Sequence, residues 1–269
     1  MRDKPIGVFD SGIGGLTCAK QLLKLLPNEN MIFLGDTARS PYGIRTKEVL
    51  VQFTTDDVAF LQRRDVKLIV AACGTVSSNV PARAISGLDV PFVDVISPTV
   101  EAALAATKTK RIGIIGTNAT IKSGSFANRL KNLDKDVQTV SNSAQQLVSL
   151  VESGNIQDDN FTTISVCKEY LAPIKEFGVD TLILGCTHFP VLSRIIQNIM
   201  GPDVTLIDAG KEAANEVARI LPKLGLDRQE ERTFTEYFVT GDAAAFDSVA
   251  NIFLEGTDDV ASIHTDIDG

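Results

Sequence analysis

Apolar residues fall along this chain in short runs separated by longer stretches with helical spacing. Residues 6–9, 31–34, 67–72, 91–95, 111–115, 179–184 and 204–207 are runs rich in Ile, Val, Leu and Phe between polar neighbours. That is the pattern of strands buried on both faces of a parallel sheet. Between them, residues 16–26, 47–62, 99–106, 123–133, 144–152, 161–177 and 210–221 carry apolar residues at helical spacing, with Pro27-Asn28 ending the first helix and Gly154 marking a break. A further helix is expected to begin at 81–85, residues 234–239 alternate like an edge strand, and residues 243–253 suit a final helix. Strands alternating with helices predict an α/β protein with mostly parallel sheets.

The pattern occurs twice. Ile6 to Gly15 (I-G-V-F-D-S-G-I-G-G) and Ile112 to Thr120 (I-G-I-I-G-T-N-A-T) each run from a strand into a small-residue turn. Lys67 to Ser78 and Thr181 to Pro190 (T-L-I-L-G-C-T-H-F-P) each end a strand in a cysteine followed by a hydroxyl residue, Cys73 with Thr75 and Cys186 with Thr187. Cys73 comes 61 residues after Gly12 and Cys186 comes 70 after Gly116, room in both cases for strand, helix, strand, helix, strand. We expect two pseudo-symmetric three-layer domains with the active site in the cleft between them. The first spans 1–97, the second 98–207, and 208–269 returns to complete the first.

Composition narrows the function. With 44% hydrophobic and 22% charged residues the chain reads as globular, and its net charge of −8 with no basic run argues against nucleic acid as a partner. No apolar run approaches the roughly 20 residues that span a bilayer, and M-R-D-K-P lacks the apolar core of a signal peptide, so a cytoplasmic location away from the membrane is expected. Four cysteines and two histidines show no metal-ligand spacing, so a metal site is not expected. An anionic ligand would have to be met locally, by backbone N–H groups and hydroxyls at helix starts.

The candidate chemistry lies at the strand ends. A thiol at a helix N-terminus has its pKa lowered from about 8.5, which makes Cys73 and Cys186 candidate acid–base groups, whereas Cys18 and Cys167 fall inside helices and read as structural. Asp10 is placed to cap the following helix, to exchange a proton with a nearby thiol, or both, and His188 is placed to assist Cys186. D-S-G-I-G-G invites a dinucleotide-binding reading with Asp36 on the ribose, but G-x-G-x-x-G from Gly12 requires glycine where the chain has Thr17.

Taken together, F-D-S-G-I-G-G-L-T, L-G-D-T-A-R-S-P-Y-G, L-I-L-G-C-T-H-F-P and G-P-D-V-T-L-I-D, in this order, make the chain resemble the glutamate racemases of the cofactor-independent aspartate/glutamate racemase superfamily over nearly its whole length. The resemblance implies two-base racemisation of glutamate without metal or pyridoxal, supplying D-glutamate for peptidoglycan and so for cell-wall biogenesis and cell shape. Cys73 would take the α-proton from D-glutamate and Cys186 protonate the opposite face, with roles reversed from L-glutamate; Asp10 would assist Cys73 and His188 assist Cys186. Ser11, Tyr42, Gly43, Gly74, Thr75, Thr117, Thr120, Glu152 and Thr187 match positions that surround the substrate. The expected assembly is a homodimer.

Two departures from the family pattern stand out. Cys73-Gly74-Thr75 replaces the usual Cys-Asn-Thr, so Gly74→Asn is expected to restore a substrate contact and lower KM. Ala144-Gln145 replaces a common Cys-Pro pair, with only a local structural effect expected. A relative acting on aspartate, and a non-catalytic or redox-sensing descendant, are the other function classes compatible with these residues.

Overall fold

The apolar runs become parallel strands. The protein is described here by a computed structural model covering residues 1–230 and 234–267. The strands are β1 (Ile6–Asp10), β2 (Met31–Gly35), β3 (Leu68–Ala71), β4 (Phe92–Asp94), β5 (Arg111–Gly116), β6 (Gln138–Ser143), β7 (Thr181–Leu184), β8 (Thr205–Asp208), β9 (Thr235–Val239) and β10 (Ile263–His264). Among the described residues they form two sheets, ordered β10-β9-β2-β1-β3-β4 and β6-β5-β7-β8, in which every pairing is parallel.

The order β2-β1-β3-β4 repeats as β6-β5-β7-β8, so the internal similarity of the sequence is a repeat of topology. In each set the order reverses beside the central strand, between β1 and β3 and again between β5 and β7. Such switch points leave a crevice at the carboxyl ends of the strands, where ligands bind in open α/β sheets. Asp10 ends β1 and Cys73 follows β3, while Thr117 follows β5 and Cys186 follows β7. Each thiol therefore emerges at its own sheet's crevice.

Alternation along the strands sorts the core. Phe9, Ile32, Leu34, Ile69 and Ala71 pack with Leu50, Val58 and Leu61 of helix Lys47–Arg63 on one side of the first sheet. Ile112, Ile114, Ile183 and Ile207 pack with Val100 and Leu130, from helices Ile96–Ala106 and Ser125–Leu133, on one side of the second. The opposite faces join in one continuous cluster with Ile6, Val8 and Val70 from the first sheet, Leu182 and Leu184 from the second, and Ala213 and Val217 of helix Ala209–Ile220. Each fully buried Leu, Ile or Val contributes about 1.5–3 kcal/mol, so this shared cluster fixes how the two lobes sit.

Several elements differ from the sequence expectations for identifiable reasons. Gln138–Ser143 is a strand, β6, but it is an edge strand with no fully buried residue, so it carries no apolar run. Residues 234–239, expected at an edge, are covered by the two-residue β10. The helix expected from 81–85 is only a 3-10 turn, Ala82–Ile85, and the helical segment lies earlier at Gly74–Asn79, directly after Cys73. The crossover at 96–98 is itself helical, with Pro98 in the first turn where its missing N–H costs nothing. The helix expected over 123–133 divides at Gly124, whose φ of 66° ends Asn118–Ser123 and starts Ser125–Leu133.

Candidate active site

β1 delivers Asp10 to the crevice of the first sheet. Its Oδ2 accepts hydrogen bonds from the backbone N–H groups of Gly12 at 3.1 Å and Gly15 at 3.0 Å, tying down the turn that opens helix Leu16–Leu25. Its Oδ1 is buried without a hydrogen-bond partner, an uncommon state for a carboxylate oxygen. Cys73 sits at the N-cap of Gly74–Asn79 with its sulfur 3.5 Å from the Ser11 hydroxyl.

The second lobe supplies the matching set. Thr117 caps Asn118–Ser123 by accepting from the Thr120 N–H, and its hydroxyl is 3.0 Å from those of both Thr120 and Thr75, a chain of three hydroxyls that crosses from one lobe to the other. The Cys186 sulfur is 3.8 Å from His188 Nδ1, and His188 Nε2 is 2.9 Å from Glu152 Oε1. Thr187, between thiol and imidazole, is buried.

Both thiols border one small cavity of about 30 Å³. Of the residues expected at the site, Ser11, Tyr42, Gly43, Cys73, Gly74, Thr75, Thr117, Glu152, Cys186, Thr187 and His188 line it. Asp10 and Thr120 stand one layer back, behind Cys73 and Thr117. Sequence reasoning missed Gln145, Val148 and Gly185 as lining residues, while Ser40 and Pro41 belong to the 35–43 loop, whose turn-forming and polar residues suit a segment that reaches over a site. Gln145 belongs to the departure expected to have only a local structural effect, yet its Oε1 accepts from the Asn118 N–H and borders the cavity beside Gly43. Its signal was its position just past the end of β6, unreadable while that strand was missing. Tyr42 borders the cavity, but its hydroxyl is already engaged by Asp36 and Asp57.

The lobes meet backbone to backbone beside the thiols. A Cβ on Gly74 would stand 2.3 Å from the Gly185 carbonyl oxygen, and one on Gly14 would stand 2.4 Å from Thr187 Oγ1 and 2.5 Å from the His188 ring. Real Cβ atoms do not approach so closely, and a backbone carbonyl cannot swing aside as a flexible side chain can. The expectation that asparagine at 74 would improve binding meets an obstacle here: any side chain at 74 requires the backbone at Gly185 in the second lobe to shift. Thr17, the residue that broke the dinucleotide pattern, bonds across the same junction to the Thr187 carbonyl at 2.9 Å.

Burial governs the electrostatics. The Cys73 thiol is pushed up to about 12, first by burial and then by the neighbouring Asp10 carboxylate, and its bonds to Ser11 and the Val76 N–H at the helix start offset only part of this. The lowered value expected from the helix start is thus outweighed. Burial also raises Asp10, against the stabilising His188 charge and the Gly15 and Gly12 N–H groups. Burial would lower His188, but its bonds to Cys186 and Glu152 more than offset this and raise it to about 10, which favours the protonated imidazole. Cys18 and Cys167 are buried thiols whose pKa burial raises, in keeping with a packing role. The arrangement offers two thiols on one cavity, one beside a carboxylate and the other beside an imidazolium, and such a pair can take a proton from one side of a bound carbon acid and return it on the other.

Comparison with known proteins is consistent with that chemistry. Residues 11–217 match the family described as Asp/Glu/Hydantoin racemase. A glutamate racemase of Geobacter metallireducens is 41% identical over 254 residues, covering 94% of this chain and 93% of that protein. Among solved structures, a glutamate racemase from Bacillus anthracis superposes with a TM-score of 0.92 at 34% identity, covering 98% of each chain. One from Francisella tularensis, solved in complex with D-glutamate, gives 0.91 at 33% identity, covering 100% of this chain and 99% of that one.

Proposed function

Because the chain belongs to the Asp/Glu/Hydantoin racemase family, we propose that it interconverts L- and D-glutamate by a two-base route with Cys73 and Cys186 on opposite faces of the α-carbon. From D-glutamate, the Cys73 thiolate takes the α-proton and the C–H electron pair stays on a planar carbanion. The Cys186 thiol then delivers its proton to the opposite face, giving L-glutamate with Cys73 as thiol and Cys186 as thiolate. The reverse reaction runs the same steps backward, so no electrons are gained or lost and every proton has a protein donor or acceptor.

The observation that carries this reading is that both thiols border one cavity while their partners differ in charge. Asp10, with its unpartnered oxygen, is positioned to take the Cys73 proton, and the His188 imidazolium is positioned to partner a Cys186 thiolate. The Thr75 and Thr117 hydroxyls, backed by Thr120, and the N–H groups at the starts of Gly74–Asn79 and Asn118–Ser123 supply donors for the substrate's carboxylates, the local compensation an anion needs in a chain of net charge −8.

The wider setting follows from the same reading: a cytoplasmic homodimer supplying D-glutamate for peptidoglycan. Four unpaired cysteines suit a reducing compartment, and no helix among the described residues is long and apolar enough to cross a membrane. Division into 1–97 with 208–269, and 98–207, is supported by β9 and β10 joining the first sheet. The deciding experiment is solvent-deuterium incorporation at the α-carbon of each glutamate enantiomer, with aspartate alongside. Exchange in both glutamate enantiomers is expected; none, or faster exchange with aspartate, would overturn the assignment.

A further inference from the structure

Behind the loop that carries Ser40, Pro41, Tyr42 and Gly43 to the cavity lies a polar cluster that the proposed reaction does not use. Asp36 follows β2, is fully buried, and donates its backbone N–H to the carbonyl of Asp10 at 3.0 Å. Its Oδ1 accepts from the Thr240 hydroxyl at 2.8 Å, and its Oδ2 accepts from Arg39 Nε at 2.6 Å and from the Tyr42 hydroxyl. Asp57, fully buried on helix Lys47–Arg63, accepts from Arg39 Nη2 at 3.0 Å through Oδ1 and stands 3.1 Å from the Tyr42 hydroxyl through Oδ2. Arg39 also bonds Asp56 at 2.7 Å and lies over the Phe53 ring, 4.2 Å from its centroid, while the Tyr42 and Phe53 ring centroids are 5.2 Å apart.

The proton count is informative. Tyr42 has one hydroxyl hydrogen and two carboxyl neighbours, so when it donates to Asp36, the Asp57 contact requires a proton on Asp57 Oδ2. Burial, with Asp36 close by, raises Asp57 well above its ordinary value, against the lowering by Arg39 and the Tyr42 hydroxyl. The chain then runs Asp57 O–H to Tyr42 oxygen and Tyr42 O–H to Asp36 carboxylate, with Arg39 balancing charge on Asp36 and Asp56. Arg39 and Tyr42 join the loop to helix Lys47–Arg63 and to Asp36 just after β2, while Thr240 and Gly241, just after β9, hold Asp36, Thr37 and Ala38.

We propose that Asp57, as a neutral hydrogen-bond donor, and Arg39 are positioning residues that latch the 36–45 loop onto helix Lys47–Arg63 and so hold Ser40 to Gly43 against the substrate cavity. Tyr42 is the bolt of this latch rather than a substrate ligand through its hydroxyl. The inference deepens the racemase reading and rests on it.

Asparagine at 57 reproduces the arrangement, with a carbonyl for Arg39 and an amide donor for Tyr42, whereas alanine removes the helix partner from both and leaves Tyr42 with Asp36 and Arg39 with Asp36 and Asp56. In the full chain, Asp57→Ala is expected to raise KM for both glutamate enantiomers about tenfold, with a smaller change in kcat, and to speed amide hydrogen exchange across 36–45. Asp57→Asn is expected to stay within about twofold of the parent and to exchange like it. Should Asp57→Ala not fold, Arg39→Gln at the half-buried end of the cluster is read the same way. A folded Asp57→Ala or Arg39→Gln enzyme with unchanged KM and unchanged exchange would overturn the latch, as would Asp57→Asn behaving like Asp57→Ala. If the parent chain racemises nothing, the racemase reading falls, and amide exchange alone still decides whether the loop is latched.

Discussion

The Gly185 carbonyl oxygen lies 2.3 Å from where a Cβ on Gly74 would have to be. Each glycine is next to one of the thiols, so a side chain at 74 acts on the spacing of the two lobes at the site. Gly74→Asn, and Gly74→Ala as its smallest form, should cost about 1–3 kcal/mol of stability through overpacking and lower kcat/KM about tenfold or more. Thermal unfolding and steady-state kinetics check this. An asparagine variant of parental stability with a lower KM would restore the expectation drawn from sequence.

The Thr17 hydroxyl, only 1% exposed, shares its one hydrogen between the Gly14 carbonyl and, across the same junction, the Thr187 carbonyl, each at 2.9 Å. Thr17→Val keeps the shape and removes the donor, leaving a carbonyl beside Cys186 and His188 without this partner. A loss of about 1–2 kcal/mol is expected in denaturant unfolding, accompanied by reduced kcat/KM. Full stability would mean that the bond contributes nothing net.

Cys73→Ala and Cys186→Ala each remove one of the two groups that a proton needs on entering or leaving the α-carbon. Racemisation should fall by at least about a thousandfold in either, as followed by circular dichroism of glutamate solutions. Near-parental turnover in one variant would show that the remaining thiol does not need it.

How much of this was legible in the chain depended on burial. Strands β1, β2, β3, β5 and β7 lie inside their sheets with every residue or all but one buried, and their apolar runs announced them. β6 and β10, at sheet edges, did not stand out because half-exposed positions tolerate polar residues. Cys73, Cys186 and His188 could be placed at the cavity from the chain alone, with Asp10 behind Cys73, because strand ends bring reactive residue types to a crevice. Gln145 and Val148 depended on the unseen β6, and Ser40 on the path of a loop that periodicity does not describe. The Gly74–Gly185 contact joins residues 111 positions apart, and no local pattern encodes such an approach. The Asp36–Tyr42–Asp57 chain depends in the same way on helix packing.

The proposed route assigns each proton transfer to a side chain of this protein, so dialysis against a chelator, or treatment with a carbonyl reagent that captures pyridoxal phosphate, should leave racemisation unchanged within error. Activity lost on dialysis and restored by a metal ion would overturn that assignment.

His188 carries the strongest pH signature of the site. Its folded-state pKa is raised from 6.5 to about 10 by bonds to Cys186 and Glu152 that outweigh burial. A group raised in this way contributes stability that is fully present below its ordinary value near 6.5 and is lost as pH rises toward 10. Alkaline destabilisation in that window is therefore expected, and His188→Gln should flatten it. Glu152 supplies one of the two bonds that hold the imidazolium, from a partly exposed position where it is the easier partner to change. Glu152→Gln keeps a side chain of the same length and removes the charge, so the imidazolium should lose its proton at lower pH, carrying the alkaline limb of the kcat profile down with it. The direction is the test, since a residue that only packed against the ring would reduce the rate at every pH and leave the limb in place. An unmoved alkaline limb in a folded Glu152→Gln enzyme would mean that Glu152 does not set the protonation of His188, leaving the thiolate form of Cys186 as the partner that does.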